Sequence, residues 1–292
     1  MTEMIGSLAS LTERFGDINR EFNCCDTTFR VHATGIRADT AVTAARDTAE
    51  SLEAQLDAFD EASAVSRLNR EFEVVNEHVA RIVRRGLEYK DQTESVFDIH
   101  QGRAEQELKT FLRGDNETLP TEFDTGSVRV SGSQISTDVE LDLNGLAKGY
   151  IVDRASEALG GLGRRGFVSG GGDMSPPTGP VAIESPYGDD TPLKILDTQW
   201  SVATSGGYRR SRNGTDHIYD STTASLGSRH ESVTVVARRD CMEADALATT
   251  LAALPLDEAR ELAAEWDGLE ALIIHDGVFH TTARFDTHVL DS

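Results

Sequence analysis

The chain has 292 residues, of which 38% are hydrophobic, and its 50 acidic and 28 basic residues give a formal net charge of −22. This composition suits a globular protein with a sizeable core, and the lack of a basic surface argues against nucleic-acid binding. The acidic residues are scattered along the chain, which favours adaptation to high salt over a docking surface for a cationic partner.

The first twenty residues contain no apolar run of signal-peptide length, and nothing precedes Cys24 that resembles a lipoprotein signal. No segment approaches the roughly 20 apolar residues of a membrane span. The three cysteines, Cys24, Cys25 and Cys241, have neither the spacing of a metal site nor that of a disulfide framework. We therefore expect a cytoplasmic protein without a membrane span.

The first predicted elements begin after a lead segment, 1–26. Alternating residues over 27–33 predict a strand. Apolar residues at helical spacing then predict one face of an amphipathic helix: Ala45, Ala49, Leu52, Leu56 and Phe59. A loop is expected over 63–69, followed by a second helix over about 76–90 with Asn76 as its N-cap. The charged segment 102–126 is expected to be the least regular part.

The remaining chain alternates between strands and helices. Residues 127–143 predict paired strands around a turn at Gly132, and a helix follows from Gly145 to Gly160. Further predicted elements are strands at 166–170, 180–184, 198–203 and 231–237, helices from Glu243 and over 256–266, and a hairpin around Asp276 and Gly277. This mixture predicts an α+β fold of mixed or antiparallel sheets with packed helices, as one domain or two joined lobes over 27–285 and a tail over 286–292.

One candidate ligand site is the segment DLNGLAKGYIVD, residues 142–153. A carboxylate ends a strand, a glycine turn follows, and Lys148 lies in the first turn of a helix. A helix N-terminus offers free N–H groups and partial positive charge, which suits a pyrophosphate, and Gly145 permits close approach to the backbone. The alternative is an ordinary strand-to-helix turn with a surface lysine.

Two glycine-rich strand ends are further candidates. The segment GGGDM, residues 170–174, offers a bare backbone against which a flat ring can lie, and its alternative interpretation is a flexible turn. The segment VATSGGYRR, residues 202–210, ends a strand in small residues that include Thr204 and Ser205, and its N–H groups can hold phosphate oxygens.

A metal site is predicted in EADALATTL, residues 243–251, because Asp245 and Thr249 lie at i and i+4 on one helical face. Two oxygen ligands at that spacing can bind a hard cation such as Mg²⁺. In the alternative interpretation, Asp245 caps the helix and Thr249 is packed. His217, close in sequence to the glycine loop at 205–207, is a candidate general base, or otherwise a structural histidine.

The order of these segments resembles that of the ApbE family, the FAD:protein FMN transferases. The matching segments are SAVSRLN, FDIHQG, DLNGLAKGYIVD, FVSGGGDM, SVATSGGYRR, HIYD and ADALATTL, within residues 27 to about 285. The resemblance implies a T-fold-related architecture and Mg²⁺-dependent transfer of FMN from FAD to a Thr or Ser hydroxyl of an acceptor protein, with release of AMP. Two alternatives stay open, a metal-dependent FAD pyrophosphatase and a non-catalytic FAD-binding protein.

By matching position, the resemblance also implies roles for individual residues. Those implied to contact FAD are Phe97, Asp98, Asp142, Lys148, Gly171, Gly172 and Asp173. Those implied to bind the metal are Asp245, Thr249 and the main-chain carbonyl of Gly145, with His217 or Asp245 accepting the hydroxyl proton. FDIHQG replaces the family's usual FDITVG, and HIYDSTTA replaces its HIIDPxTG-like segment, so the flavin-facing and acceptor-facing parts depart from the family pattern.

Overall fold

The largest sheet of the molecule has eight strands, each antiparallel to its neighbours, in the order β1-β2-β6-β7-β10-β15-β16-β17. The computed structural model describes residues 16–161, 165–188, 191–207 and 211–290. The strands of this sheet are β1 Gly16–Cys24, β2 Thr27–Gly35, β6 Arg165–Gly170, β7 Asp173–Met174, β10 Ser201–Ser205, β15 Ser232–Ala237, β16 Leu269–His275 and β17 Val278–Thr281.

Helices cover one face of this sheet. Those in the described residues are α1 Ala38–Leu56, α2 Ala64–Glu71, α3 Glu77–Gln92, α4 Gly102–Arg113, α5 Asn144–Gly160, α6 Cys241–Ala253 and α7 Leu256–Glu265. Helix α5 packs between α1 and α6, and α6 also lies on β10 and β15. Nearly all residues of α6 are buried, its polar residues included, so this helix has no side that faces solvent.

Short strands complete the fold. They form the small sheet of β3 Glu73–Val75, β5 Gln134–Thr137 and β4 Val128–Ser131, and the pairs β8 Val181–Ile183 with β9 Lys194–Leu196, β11 Ser211–Arg212 with β12 Thr215–Asp216, and β13 Tyr219–Asp220 with β14 Ser225–Leu226. Val202, Val236 and Leu272 pack with the β8–β9 pair and Phe285 in a separate apolar cluster. No helix in the ranges described above has the length and apolar character needed to span a membrane.

The α+β prediction is confirmed, as are several individual elements. Helix α3 begins after Asn76, whose side chain accepts hydrogen bonds from the N–H groups of His78 and Val79. Strand β2, helix α5, strand β15 and the hairpin at Asp276 lie where they were predicted. The segment Gly16–Cys24, for which no element was predicted, pairs with β2 along its whole length.

The structure differs from the predictions at five places. Residues 63–69 are not a loop, because Ser63 caps α2 and accepts the Ser66 N–H at 3.0 Å. Residues 102–113 are helical, since α4 buries apolar residues at helical spacing despite its charges, whereas 114–126 are irregular as predicted. Phe59 lies beyond the end of α1 and is 40% exposed beneath the cations of α4. The second strand predicted within 127–143 ends at Thr137, and the strand predicted at 198–203 begins only at Ser201.

Candidate functional site

The crossing of α5 and α6 is the structural basis of the site. A Cβ atom on Gly149 would lie 2.6 Å from the carbonyl oxygen of Cys241 and 2.7 Å from the Cα of Met242, so only glycine allows the helices this close. The Gly149 N–H donates a hydrogen bond to Asp245 Oδ2 at 3.2 Å. This close approach brings the second turn of α6 against the first turns of α5.

Three segments that are far apart in the sequence meet at this crossing. Lys148 forms ion pairs with Asp173 Oδ2 and with Asp245 Oδ1, the latter at 3.3 Å. Both carboxylates are almost fully buried. The segments at 142–153, 170–174 and 243–251 therefore form one cluster, and Lys148 is not a surface lysine.

The capping alternative for Asp245 was wrong. Helix α6 begins four residues earlier than Asp245, and its N-cap is Asp240, whose side chain accepts the Glu243 N–H at 2.9 Å. Asp153 of α5 also accepts the N–H groups of Cys241 and Met242, at 2.9 and 3.0 Å. Because the N–H groups of the first turn of α6 already have these partners, Asp245 does not cap the helix. Its side chain contacts Lys148 and Gly149 instead.

The electrostatics of the cluster favour bound cations. Burial alone would lower the pKa of Lys148, but its attraction to Asp173 and Asp245 outweighs burial and raises that pKa, so Lys148 stays protonated. Burial and the nearby charge of Asp245 raise the pKa of Asp173 well above its usual range. Asp173 Oδ1 is buried and accepts no hydrogen bond from the described residues. An oxygen in this position is suited to a cation or to a ligand donor.

The glycine-rich segment 170–174 is a tight turn rather than an open wall. Gly171 and Gly172 connect β6 to β7 with φ of +60° and +106°, a conformation that side chains other than hydrogen strongly disfavour. A Cβ on Gly171 would meet the side chain of Thr27 at 2.9 Å, and one on Gly172 would meet the Thr204 carbonyl at 3.3 Å. The turn directs Asp173 toward Lys148.

Small hydroxyl groups lie beside this turn at the end of β10. Ser205 Oγ is 3.4 Å from Thr249 Oγ1, one helical turn beyond Asp245 on α6. Thr204 Oγ1 is 3.0 Å from Thr234 Oγ1 on the neighbouring strand. The part of this segment at 208–210 lies outside the described residues. Thr249 and Asp245 thus face the same region as Ser205, as their predicted helical spacing requires.

Asp142 lies just before α5 and is held by its neighbours. Its Oδ1 accepts the Asn144 N–H at 2.9 Å, and its Oδ2 accepts the Tyr219 hydroxyl at 2.9 Å. The ring of Phe97 lies against Gly145, where an added Cβ would be 3.0 Å from the ring. Asp142, Gly145 and Phe97 therefore surround the start of α5.

Asp98 points into its own loop. It accepts hydrogen bonds from Lys90 Nζ, from His100 and from Gln101 Nε2, and its side chain is 6% exposed. Burial raises the pKa of Asp98, but the hydrogen bonds from His100 and Lys90 outweigh it and lower that pKa to about 2. In this structure the Asp98 carboxylate fixes the loop that carries Phe97.

His217 is half-buried between β12 and β13. The neighbouring Asp216 accepts the N–H groups of Ile218 and Ser228, at 2.7 and 2.9 Å, which fixes the backbone on both sides of the β13–β14 hairpin. Tyr219, two residues after His217, reaches Asp142. His217 is therefore on the segment that packs against the start of α5.

A cavity of about 320 Å³ opens beside Asp142 and Asn144. It is also lined by Ser66 and Asn69 of α2 and by Glu105 of α4, the two helices that the predictions missed. Burial and the nearby Asp142 raise the pKa of Glu105 to about 8, and its Oε2 has no partner in the described part of the chain. The helical spacing of the apolar residues Ala104, Leu108 and Phe111 is the feature of the sequence that could have predicted the helix carrying Glu105.

Comparisons with known proteins agree on one family. The model of the ApbE family matches residues 25–273. A curated FAD:protein FMN transferase of Vibrio cholerae serotype O1 is 26% identical over 257 residues, covering 77% of this chain and 76% of that protein.

The fold is likewise similar to solved structures. An ApbE protein from Thermotoga maritima superposes with a TM-score of 0.81 at 22% identity, covering 94% of this chain and 100% of that chain. The flavin transferase ApbE of Vibrio cholerae gives 0.79 at 21% identity, covering 94% and 99%.

Proposed function

This chain belongs to the ApbE family, and we propose that it transfers FMN from FAD to a Thr or Ser hydroxyl of an acceptor protein, releasing AMP. The observation that carries this proposal is the pair of ion pairs that Lys148 forms with the buried carboxylates of Asp173 and Asp245 at the crossing of α5 and α6. A relative that is 26% identical over 257 residues bears the name FAD:protein FMN transferase. A partly exposed lysine beside two buried carboxylates suits a pyrophosphate substrate that arrives with a divalent cation.

The residues present fit Mg²⁺. Asp245 and Thr249 offer oxygen ligands, and Asp173 Oδ1 is a buried oxygen without a partner in the described residues. In a regular helix the N–H of residue 149 bonds to the carbonyl of residue 145. Here Asp245 also accepts this N–H, which favours the Gly145 carbonyl as a further oxygen ligand. When bound, Mg²⁺ neutralises charge on the pyrophosphate and assists the departure of AMP.

The remaining groups bind and orient FAD. Lys148 supplies a fixed positive charge for the phosphate oxygens. The N–H groups of Asn144, Leu146 and Ala147 at the start of α5 already have partners within the protein. Phe97 offers an aromatic surface beside Gly145, and the bond from Tyr219 holds Asp142 in one orientation. The cavity beside Asp142 offers room for part of the dinucleotide.

The transfer itself breaks the phosphoanhydride bond of FAD and forms a phosphoester to the acceptor. The acceptor hydroxyl oxygen forms a bond to the FMN phosphorus, while the bond from that phosphorus to the bridging oxygen breaks and AMP leaves with that oxygen. The hydroxyl proton passes to His217 or to Asp245. Positioning and charge neutralisation supply most of the catalysis in reactions of this type.

The test measures AMP and protein-bound flavin together. The protein is incubated with FAD and Mg²⁺, with and without an extract of source cells as the acceptor pool, and flavin fluorescence is read on a denaturing gel. AMP released only with the extract, together with a fluorescent band, supports transfer. AMP released equally without acceptor indicates a pyrophosphatase, and bound FAD without AMP indicates a binding protein.

A variant pair connects the activity to the site. Asp245→Ala should lower AMP release by more than about 100-fold, because it removes a metal ligand and a partner of Lys148. Asp257→Ala, which changes an exposed aspartate on the next helix, should leave release unchanged. Undiminished transfer by Asp245→Ala would refute the assigned site.

A further inference from the structure

The turn between β1 and β2 brings two cysteines to one side of the chain. Adjacent side chains of a strand normally point to opposite faces. Here Cys24 ends β1, and Cys25 and Asp26 form the two-residue turn with φ of 56° and 54°. This left-handed conformation interrupts the alternation, so the Cys24 and Cys25 Sγ atoms lie 3.7 Å apart.

Helix α1 adds a carboxylate to the pair. Glu53 lies one turn after Ala49, and both residues face the hairpin: the Ala49 carbonyl is 3.9 Å from Cys24 Sγ, and Glu53 Oε1 accepts the Cys25 N–H. The Cys24 and Cys25 sulfurs and a carboxylate oxygen of Glu53 all lie within 4.8 Å of one another. This arrangement could not be predicted from the sequence, because Glu53 is 28 residues from Cys25.

We propose that Cys24, Cys25 and Glu53 form a binding site for a thiophilic divalent cation such as Zn²⁺, distinct from the site at Asp245. Two sulfurs that each lie about 2.3 Å from a tetrahedral zinc ion are about 3.8 Å apart, and the observed separation is 3.7 Å. Cys24 is buried, whereas Cys25 and Glu53 are half-buried. The half-exposed side leaves room for a water molecule as the fourth ligand.

The chemistry of the three groups selects soft cations over Mg²⁺. Thiolates bind zinc and cadmium well and magnesium poorly, whereas the oxygen ligands at Asp245 and Thr249 have the opposite preference. The thiols must lose their protons when the cation binds.

Cadmium titration tests the site directly. The full chain is reduced, freed of metal with a chelator and titrated with Cd²⁺, while the sulfur-to-cadmium charge-transfer absorbance is followed. We expect saturation at one equivalent and no competition from Mg²⁺. Cys25→Ser should weaken binding by more than about 100-fold, since loss of even an outer partner costs about 10- to 100-fold. Glu53→Gln keeps an acceptor for the Cys25 N–H and should weaken binding by about 10-fold.

Two controls separate this site from the rest of the molecule. Cys241→Ser removes the third cysteine, which is buried at the start of α6, and should leave the cadmium band unchanged. Asp245→Ala should lose transfer and keep the band, so failure of one proposal does not imply failure of the other. The proposal is wrong if the reduced wild-type chain gives no band, or if Cys25→Ser, folded by circular dichroism, retains it.

Discussion

Replacing Gly149 by alanine tests whether the contact between α5 and α6 builds the site. The added Cβ would be 2.6 Å from the Cys241 carbonyl oxygen, whereas ordinary contacts begin at 3.4 Å. Because the obstructing atoms belong to the backbone, the helices must separate by about 0.8 Å, and such overpacking costs about 1–3 kcal/mol. Alanine recovers about 1 kcal/mol through its higher helix propensity. We expect the free energy of unfolding to fall by up to about 2 kcal/mol.

The same displacement should affect activity more than stability. It moves the Gly149 N–H away from Asp245, to which it now donates at 3.2 Å, and a misplacement of about 1 Å can cost about 100-fold in rate. Urea unfolding and acceptor-dependent AMP release measure the two effects. Gly160→Ala is the matched control, because its Cβ meets nothing within 4 Å on the same helix. If both variants behave like the wild type, the helix contact does not build the site.

The remaining predictions concern the residues that support the site. Asp240→Ala should lower the free energy of unfolding by about 1–2 kcal/mol in urea, since it removes the cap of α6, and an unchanged midpoint would contradict the capping assignment. Tyr219→Phe should raise the KM for FAD by about 10-fold with kcat nearly unchanged, because Asp142 loses its 2.9 Å partner, and a fall in kcat alone would contradict an orienting role. The pKa of Asp98 is lowered from 3.8 to about 2, so the ionised carboxylate stabilises the fold fully above about pH 4, and this stabilisation is lost as the pH falls toward 2. The difference in unfolding free energy between the wild type and Asp98→Asn should therefore shrink by about 2 kcal/mol over that range. A difference that stays constant with pH would contradict this role.

Local signals in the sequence predicted most of the secondary structure. The N-cap of α3 and the 3.6-residue periodicity of α1 depend only on neighbouring residues, so they were visible without the fold. The loop predicted at 63–69 was wrong, and the irregular region predicted at 102–126 was wrong for residues 102–113. In both helices the buried apolar residues recur at helical spacing among polar ones. Helix α4 pairs charges on its exposed side, such as Arg103 with Glu107 at 3.4 Å.

Long-range contacts explain what local signals did not reveal. The spacing of Asp245 and Thr249 suggested a shared face, but the partnership of Asp245 with Lys148 depends on how closely α5 and α6 approach. That approach depends on Gly149, which in the sequence resembles any other glycine of a helix. Glu105 was not predicted as a site residue for a similar reason, because its position beside Asp142 depends on the packing of α4.

The first departure from the family pattern has a structural explanation. In FDIHQG, His100 donates its N–H to Asp98 at 3.0 Å, and the Gln101 side chain exchanges two hydrogen bonds with the backbone of Asp124 at 2.9 Å. The bond to Asp98 lies within the loop, and the two bonds to Asp124 connect the loop to a segment 23 residues away. Phe97 keeps its place against Gly145. The altered residues therefore support the proposed flavin-facing surface without forming it.

The second departure, HIYDSTTA, is also accompanied by side-chain hydrogen bonds that fix the segment. Here the carboxylate of Asp220 accepts hydrogen bonds from the Thr222 N–H at 2.9 Å and from the hydroxyls of Thr222 and Thr223, which fixes the turn without proline or glycine. The bond from Tyr219 to Asp142 is formed just before this turn. Because both departures alter bonds within loops while the cluster at Lys148 is intact, we expect them to change the choice of acceptor more than the binding of FAD.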